Sequence, residues 1–137
     1  MDLYAENILD HYKSPRHKQS LSEASITHGE KNLSCGDTLT LQLQMKDGVI
    51  TAIGWEGNGC AISQAGMSML SEELIGMKVS NASVLKANAL LEMLGVSIGP
   101  RRMKCALLAL HTLKNALCAM EGKPGQLWRE TVGTDET

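Results

Sequence analysis

The feature that most constrains this chain is a strict two-residue alternation that gives way to a helical period. From Thr38 to Met45, Leu39, Leu41, Leu43 and Met45 fall on one face, and Thr38, Thr40, Gln42 and Gln44 on the other. Lys46-Asp47-Gly48 is turn chemistry, and Val49 to Trp55 alternates again with Val49, Thr51, Ile53 and Trp55 in phase. A run with one dry and one wet face is an antiparallel hairpin. Past Gly57-Asn58-Gly59 the period changes. Ile62, Ala65, Gly66, Met69, Leu70 and Leu74 recur at three and four, with Gly76 as a stop. A second helix is expected over Ser80–Leu94, closed by Gly95. A third begins near Pro100, with Met103, Ala106, Leu107, Leu110, Leu113, Leu117 and Met120 as its stripe, and ends at Gly122-Lys123-Pro124. Ahead of the hairpin, Asp2 to Lys13 reads as a short helix striped by Leu3, Ile8, Leu9 and Tyr12. Arg16–Ser34 is polar, with room for one irregular edge strand. Helix, strands, then helices predict an α+β fold, a small antiparallel sheet packed against helices in two layers. This domain is expected over residues 1–122, with 123–137 a mobile polar tail.

Composition removes whole classes of function. A formal charge of −2 over 137 residues leaves no basic face for phosphates, so no nucleic acid is expected as partner. No apolar run is long enough to span a membrane, and Met1-Asp2-Leu3-Tyr4-Ala5-Glu6 lacks the layout of a secretory signal, so the expected location is cytoplasmic. With no Phe and eight Met, the methionines are expected mainly as core filler.

The chemistry is carried by cysteine. Cys35, Cys60, Cys105 and Cys118 form no Cys-x-x-Cys pair, and a domain of this size in a reducing compartment needs no disulfides. Three of them sit at element boundaries: Cys35 in Ser34-Cys35-Gly36-Asp37, Cys60 after Gly57-Asn58-Gly59, and Cys105 after Arg101-Arg102-Met103-Lys104. A thiol at a helix N-terminus or beside Lys and Arg is expected to have a lowered pKa, which would apply to Cys60 and Cys105. Asp37 adds an oxygen donor, and three thiolates with one carboxylate suit zinc or an iron site completed by sulfide. The alternative is three unconnected, half-exposed thiols. Cys118 lies 13 residues beyond Cys105, some 140° around the helix at about 100° per residue, and is expected outside any shared site. His11, His17, His28 and His111 show no ligand spacing, and Ser/His/Asp, zincin and P-loop signatures are missing.

Four segments carry a resemblance. Ile8-Leu9-Asp10-His11-Tyr12-Lys13-Ser14-Pro15-Arg16 resembles the opening helix of the NifU/IscU/SufU family of iron–sulfur cluster assembly scaffolds. Ser34-Cys35-Gly36-Asp37 and Gly57-Asn58-Gly59-Cys60-Ala61-Ile62-Ser63 resemble its first two ligand loops, and Arg102-Met103-Lys104-Cys105-Ala106-Leu107-Leu108 its third. The resemblance implies sulfur delivered as a persulfide by a cysteine desulfurase, a separate pyridoxal-phosphate enzyme. It implies Cys35, Asp37, Cys60 and Cys105 as ligands of a transient [2Fe–2S] cluster or of Zn²⁺, and apo iron–sulfur proteins as recipients. Cys35 is the expected sulfur acceptor, with Cys105 the alternative. The helix from Ala61 to Ile75 and the segment Arg101–Lys104, with Arg102 and Lys104 foremost, are expected to form the desulfurase docking surface. Lys104 stands where IscU-type members have His, as in SufU, yet the interval between Cys60 and Cys105 is short as in IscU. Cluster scaffold, zinc-dependent sulfur shuttle and degenerate binding module are the competing readings.

Overall fold

The computed structural model describes residues 3–133. The expected hairpin is present as β2 (Asp37–Lys46) and β3 (Val49–Asn58), antiparallel, and a third strand, β1 (Ile26–Asn32), pairs antiparallel with β2 to give the order β1-β2-β3. The helices are α1 (Leu3–Lys13), α2 (Ala61–Leu74), α3 (Val79–Ala82), α4 (Ala87–Leu94), α5 (Met103–Met120) and α6 (Trp128–Val132), with a 3₁₀ turn at Pro100–Arg102. The architecture is the expected α+β. No described helix is long and apolar enough to cross a membrane.

Leu39, Leu41 and Leu43 of β2 are fully buried, as the alternation requires. The phase of β3 differs from expectation. Gln44 pairs with Ala52 and Met45 with Ile50, which leaves Thr51 as the extra residue of a β-bulge. Thr51 is exposed and its hydroxyl donates to the Gln44 carbonyl at 3.1 Å, while Ile50 turns into the core beside Ile53 and Trp55. β1 is a regular seven-residue strand, not an irregular one. Beyond Ile26, which packs on the core, its inward residues His28, Glu30 and Asn32 are polar, so no apolar alternation announces it.

α2 and α5 pack against each other and the sheet, and both are buried over most of their circumference. Met67 and Met69 are core residues, so α2 cannot offer its methionines as a docking surface. The helix expected over Ser80–Leu94 is broken into α3 and α4. Ser80, Asn81 and Ser83 are poor helix interior residues, the Ser83 hydroxyl donates to the Ser80 carbonyl, and Lys114 Nζ donates to the Ser83 carbonyl at 2.5 Å, stabilising the break. Among the described residues of α1, Ile8 and His11 are buried, whereas Leu3, Leu9 and Tyr12 are exposed. The segment 16–25 is not a free loop. The Leu21 N–H donates to Gln42 Oε1, the Gln44 amide to the Glu23 carbonyl, and the Trp55 indole to the Arg16 carbonyl.

The segment expected as a tail contributes structure. Trp128 of α6 stacks on His111 with ring centroids 3.9 Å apart, and Thr131 is buried against His111 Nδ1 at 2.6 Å. Residues 134–137 lie outside the described residues.

His11 and His111 make stability depend on pH. Burial holds both imidazoles below their ordinary 6.5; Arg16 adds to this at His11, and the Glu30 carboxylate partly opposes it at His111. The unfolded chain therefore binds protons that the folded chain refuses. Stability is fully present above about pH 6.5 and is lost as the pH falls towards the lowered folded values, each imidazole contributing up to about 1.4 kcal/mol per pH unit. Urea midpoints taken from pH 7.5 down to 5.5 are expected to fall, and a flat profile would contradict these burials.

Candidate metal centre

Register builds the first half of the site. Asn32 of β1 pairs with Asp37 of β2, so Leu33–Gly36 is a four-residue hairpin connection with Cys35 exposed near its tip. The turn is closed by the Gly36 N–H donating to the Asn32 carbonyl at 2.7 Å, with Gly36 at φ 79°. Asp37 begins β2 and is 2% exposed. The second half comes from the end of β3, where Gly59 leads into Cys60, the N-cap of α2. A Cβ on Gly59 would fall on the Asp37 carboxylate, and its φ is +150°. Glycine there is what lets the carboxylate reach the Cys60 N–H, which donates to Asp37 Oδ1 at 3.1 Å.

Cys105 enters from the first turn of α5, 6% exposed. Its Sγ lies 3.0 Å from Cys35 Sγ. The Cys35 thiol donates to Asp37 Oδ2 at 3.1 Å, and the Cys60 thiol to the same oxygen at 3.6 Å. One ligand atom from each of Cys35, Asp37 and Cys105 lies within 4.8 Å of the others. Cys60 adjoins this group through Asp37. Of the four expected residues, Cys35, Asp37 and Cys105 share one cluster and Cys60 stands at its edge. Cys118 lies outside the cluster, on the later turns of α5. Cys118→Ser is accordingly expected to leave metal content unchanged, and loss of metal from that variant would place Cys118 in the site.

Electrostatics correct one expectation. Cys105 is not lowered but pushed well above the usual thiol range, by burial first and then by hydrogen bonds with Cys35 and Asp37 and the nearby Cys60 and Asp37 charges. Lys104 does not offset this, because its Nζ turns outward over the Trp128 ring, 5.7 Å from the centroid. Burial acts to raise Asp37 too. Hydrogen bonds from Cys35, the Cys60 N–H, Cys105 and Cys60 outweigh it and hold the carboxyl below its ordinary range. The Asp37 carboxylate thus stands among three cysteine sulfurs. A thiophilic cation fits that donor set, releasing protons as the thiols become ligands.

Sequence reasoning missed Asn32. It is 2% exposed, and its amide donates to Cys35 Sγ at 3.0 Å and to Cys105 Sγ at 3.5 Å, while its Oδ1 accepts from the Ser34 N–H. An asparagine three residues before Cys35 was the available signal. Behind it, Glu30 accepts from Asn115 at 3.0 Å and contacts His28 at 2.6 Å, tying β1 to α5. The four histidines contribute no member of the thiol–carboxylate cluster. Arg101, Arg102 and Lys104 are exposed, and Lys104 borders an open groove of about 500 Å³ lined by Pro100, Met103, Trp128, Arg129 and Val132.

Comparison with known proteins gives the family. The model of the NifU-like N terminal domain matches residues 3–126. The chain is 36% identical over 131 residues to the iron–sulfur cluster assembly scaffold protein IscU of Thermotoga maritima, covering 84% of this chain and 92% of that one. It is 30% identical over 137 residues to the zinc-dependent sulfurtransferase SufU of Bacillus subtilis, covering 88% and 92%. Among solved structures, FiSufU of the SUF system of Fervidobacterium islandicum AW-1 superposes with a TM-score of 0.69 at 32% identity, over 82% of this chain and 94% of that one. The N-terminal part of a NifU-like protein from Brucella abortus shares the fold, with a TM-score of 0.71 at 24% identity over 89% and 96%.

Proposed function

The chain belongs to the NifU-like N-terminal domain family, and from that membership and its thiol cluster we propose that it is an iron–sulfur cluster assembly scaffold. It takes sulfur as a persulfide from a cysteine desulfurase, builds a [2Fe–2S] cluster as cargo and passes it to apo iron–sulfur proteins. The observation that carries the reading is the convergence of Cys35, Asp37, Cys60 and Cys105 from three separate chain segments. Cys35 is the proposed sulfur acceptor, since it is exposed on a hairpin turn while Cys105 is buried on a helix. Asn32 orients the two sulfurs, and Asp37 offers the carboxylate donor among them.

A second reading has its own support. Three thiols and a carboxylate are equally a zinc set, and one relative is named a zinc-dependent sulfurtransferase. If zinc is resident, Cys35, Asp37, Cys60 and Cys105 would hold it, and it would keep the thiols deprotonated for sulfur exchange. The protein would then be an enzyme in the sense of a sulfurtransferase.

Metal and sulfide analysis of anaerobically purified protein, followed by reconstitution with iron, cysteine and a desulfurase, separates the two. A stable [2Fe–2S] absorption spectrum lost in Cys60→Ser supports the scaffold. One tightly held zinc per chain that iron cannot displace, with desulfurase turnover still raised, supports the shuttle. Arg102 and Lys104 are proposed to dock the desulfurase, both exposed on the chain leading into Cys105. Arg102→Glu is expected to weaken stimulation of the desulfurase at least about tenfold, the equivalent of 1.4 kcal/mol; unchanged stimulation would remove Arg102 from the interface.

A further inference from the structure

A persulfide carries sulfur at the oxidation level of the element, whereas the bridging sulfur of a cluster is sulfide. Two electrons must come from somewhere, and two thiols in contact can supply them. Cys35 Sγ and Cys105 Sγ are 3.0 Å apart, about 1 Å beyond a disulfide bond. Both are pinned by one side chain, the Asn32 amide, at 3.0 Å and 3.5 Å. On its inner side Cys35 Sγ is enclosed by Asn32, Asp37 Oδ2 and Cys105, and its open side faces solvent. A sulfur added to Cys35 therefore projects outward and leaves the original Sγ facing Cys105.

Resting on the reading of Cys35 as sulfur acceptor, we propose that the chain reduces its own persulfide: Cys105 Sγ attacks the inner sulfur of a Cys35 persulfide, expels hydrosulfide and closes a Cys35–Cys105 disulfide. The new bond joins the two cysteine sulfurs, and the bond broken is that between Cys35 Sγ and the added sulfur. The departing sulfur gains two electrons, and each cysteine sulfur gives up one. The Cys105 proton leaves with the departing hydrosulfide, so that both sulfhydryl hydrogens are carried off as hydrogen sulfide. Hydrosulfide is a better leaving group than an alkyl thiolate, which favours this direction of exchange. An external dithiol then reduces the disulfide and resets the site. Cys60 is not the resolving thiol, since its sulfur contacts Asp37 and not Cys35.

The test uses the full-length chain, stripped of metal under anaerobic conditions, loaded with glutathione persulfide and desalted at once. Sulfide is trapped with monobromobimane, and the cysteines are mapped by peptide mass spectrometry. In the wild type, and equally in Cys118→Ser, the mass of one added sulfur is expected to give way to loss of two hydrogens, with a Cys35–Cys105 cross-linked peptide and about one sulfide per chain. Cys105→Ser is expected to keep its persulfide on Cys35, and Asn32→Ala to slow the decay at least about tenfold by releasing the sulfurs from their shared clamp. If Cys105→Ser does not fold, the wild-type peptide map decides alone. Migration of the added sulfur to Cys105, a cross-link to Cys60, or a wild-type persulfide that persists would each overturn the proposal while leaving Cys35 as acceptor. Failure of Cys35 to take up sulfur in any form would overturn the acceptor reading and this inference with it.

Discussion

Gly59→Ala is expected to weaken metal binding at least about tenfold, the equivalent of 1.4 kcal/mol, although the substitution adds one methyl group and removes no ligand. That methyl would occupy the space of the Asp37 carboxylate, and the φ of +150° at Gly59 is one that L-residues rarely adopt. A backbone held in such a region costs about 1–3 kcal/mol before the collision is counted. The carboxylate must withdraw, the Cys60 N–H loses its acceptor, and the first turn of α2 no longer presents Cys60 beside Asp37. Competition with a chelator for zinc measures the loss. Gly122→Ala is the control. It shares a positive φ of 72° but has open space around it, so it should lose some stability and keep its metal affinity. Equal affinities in the two variants would mean that the approach of β3 to Asp37 does not organise the site.

Trp55→Ala is expected to be the most damaging single change to the fold. The side chain is 1% exposed, pairs across the sheet with Leu41, and is the large aromatic of a core that contains no Phe. Truncating a buried aromatic to Ala costs about 3–5 kcal/mol, against a total stability of about 5–15 kcal/mol for a domain. The indole also donates to the Arg16 carbonyl at 2.8 Å, and that carbonyl keeps only the weaker Ser71 hydroxyl at 3.3 Å when the ring is gone. The urea midpoint should fall by about 2 M at an m of about 2 kcal/mol/M, with faster proteolysis of the segment 16–25. A loss below about 1 kcal/mol would mean that the core closes over the vacancy without strain.

The chain announces in its own pattern those parts of the fold whose burial follows a local period. β2, α2 and α5 are legible because Leu39, Leu41 and Leu43, or Leu70 and Leu74, or Leu107 and Leu110, repeat at the spacing of the element that buries them. β1 is not legible, because after Ile26 the residues it turns inward are His28, Glu30 and Asn32. Their partners are 85 residues away at Asn115 and 73 at Cys105. The bulge at Thr51 and the break between α3 and α4 escape for a related reason: each is fixed by a hydrogen bond, Thr51 to Gln44 and Lys114 to Ser83, that periodicity does not encode. α6 is held by a stack on His111 from across the domain.

The site divides in the same way. By itself the sequence determined which atoms could bind a metal, because the softness of a thiol and the charge of a carboxylate belong to the residue type. It also determined that Cys35, Cys60 and Cys105 would stand at element ends, since Gly and Pro punctuate the chain there. Only the tertiary structure decided that Asp37 is the hub, that Asn32 clamps two sulfurs, and that burial pushes the Cys105 thiol up rather than down. Protonation and contact depend on distance and burial. Here both are set by strands and helices far apart in the chain, so a neighbour such as Lys104, adjacent in sequence yet turned towards Trp128, says little about the thiol beside it.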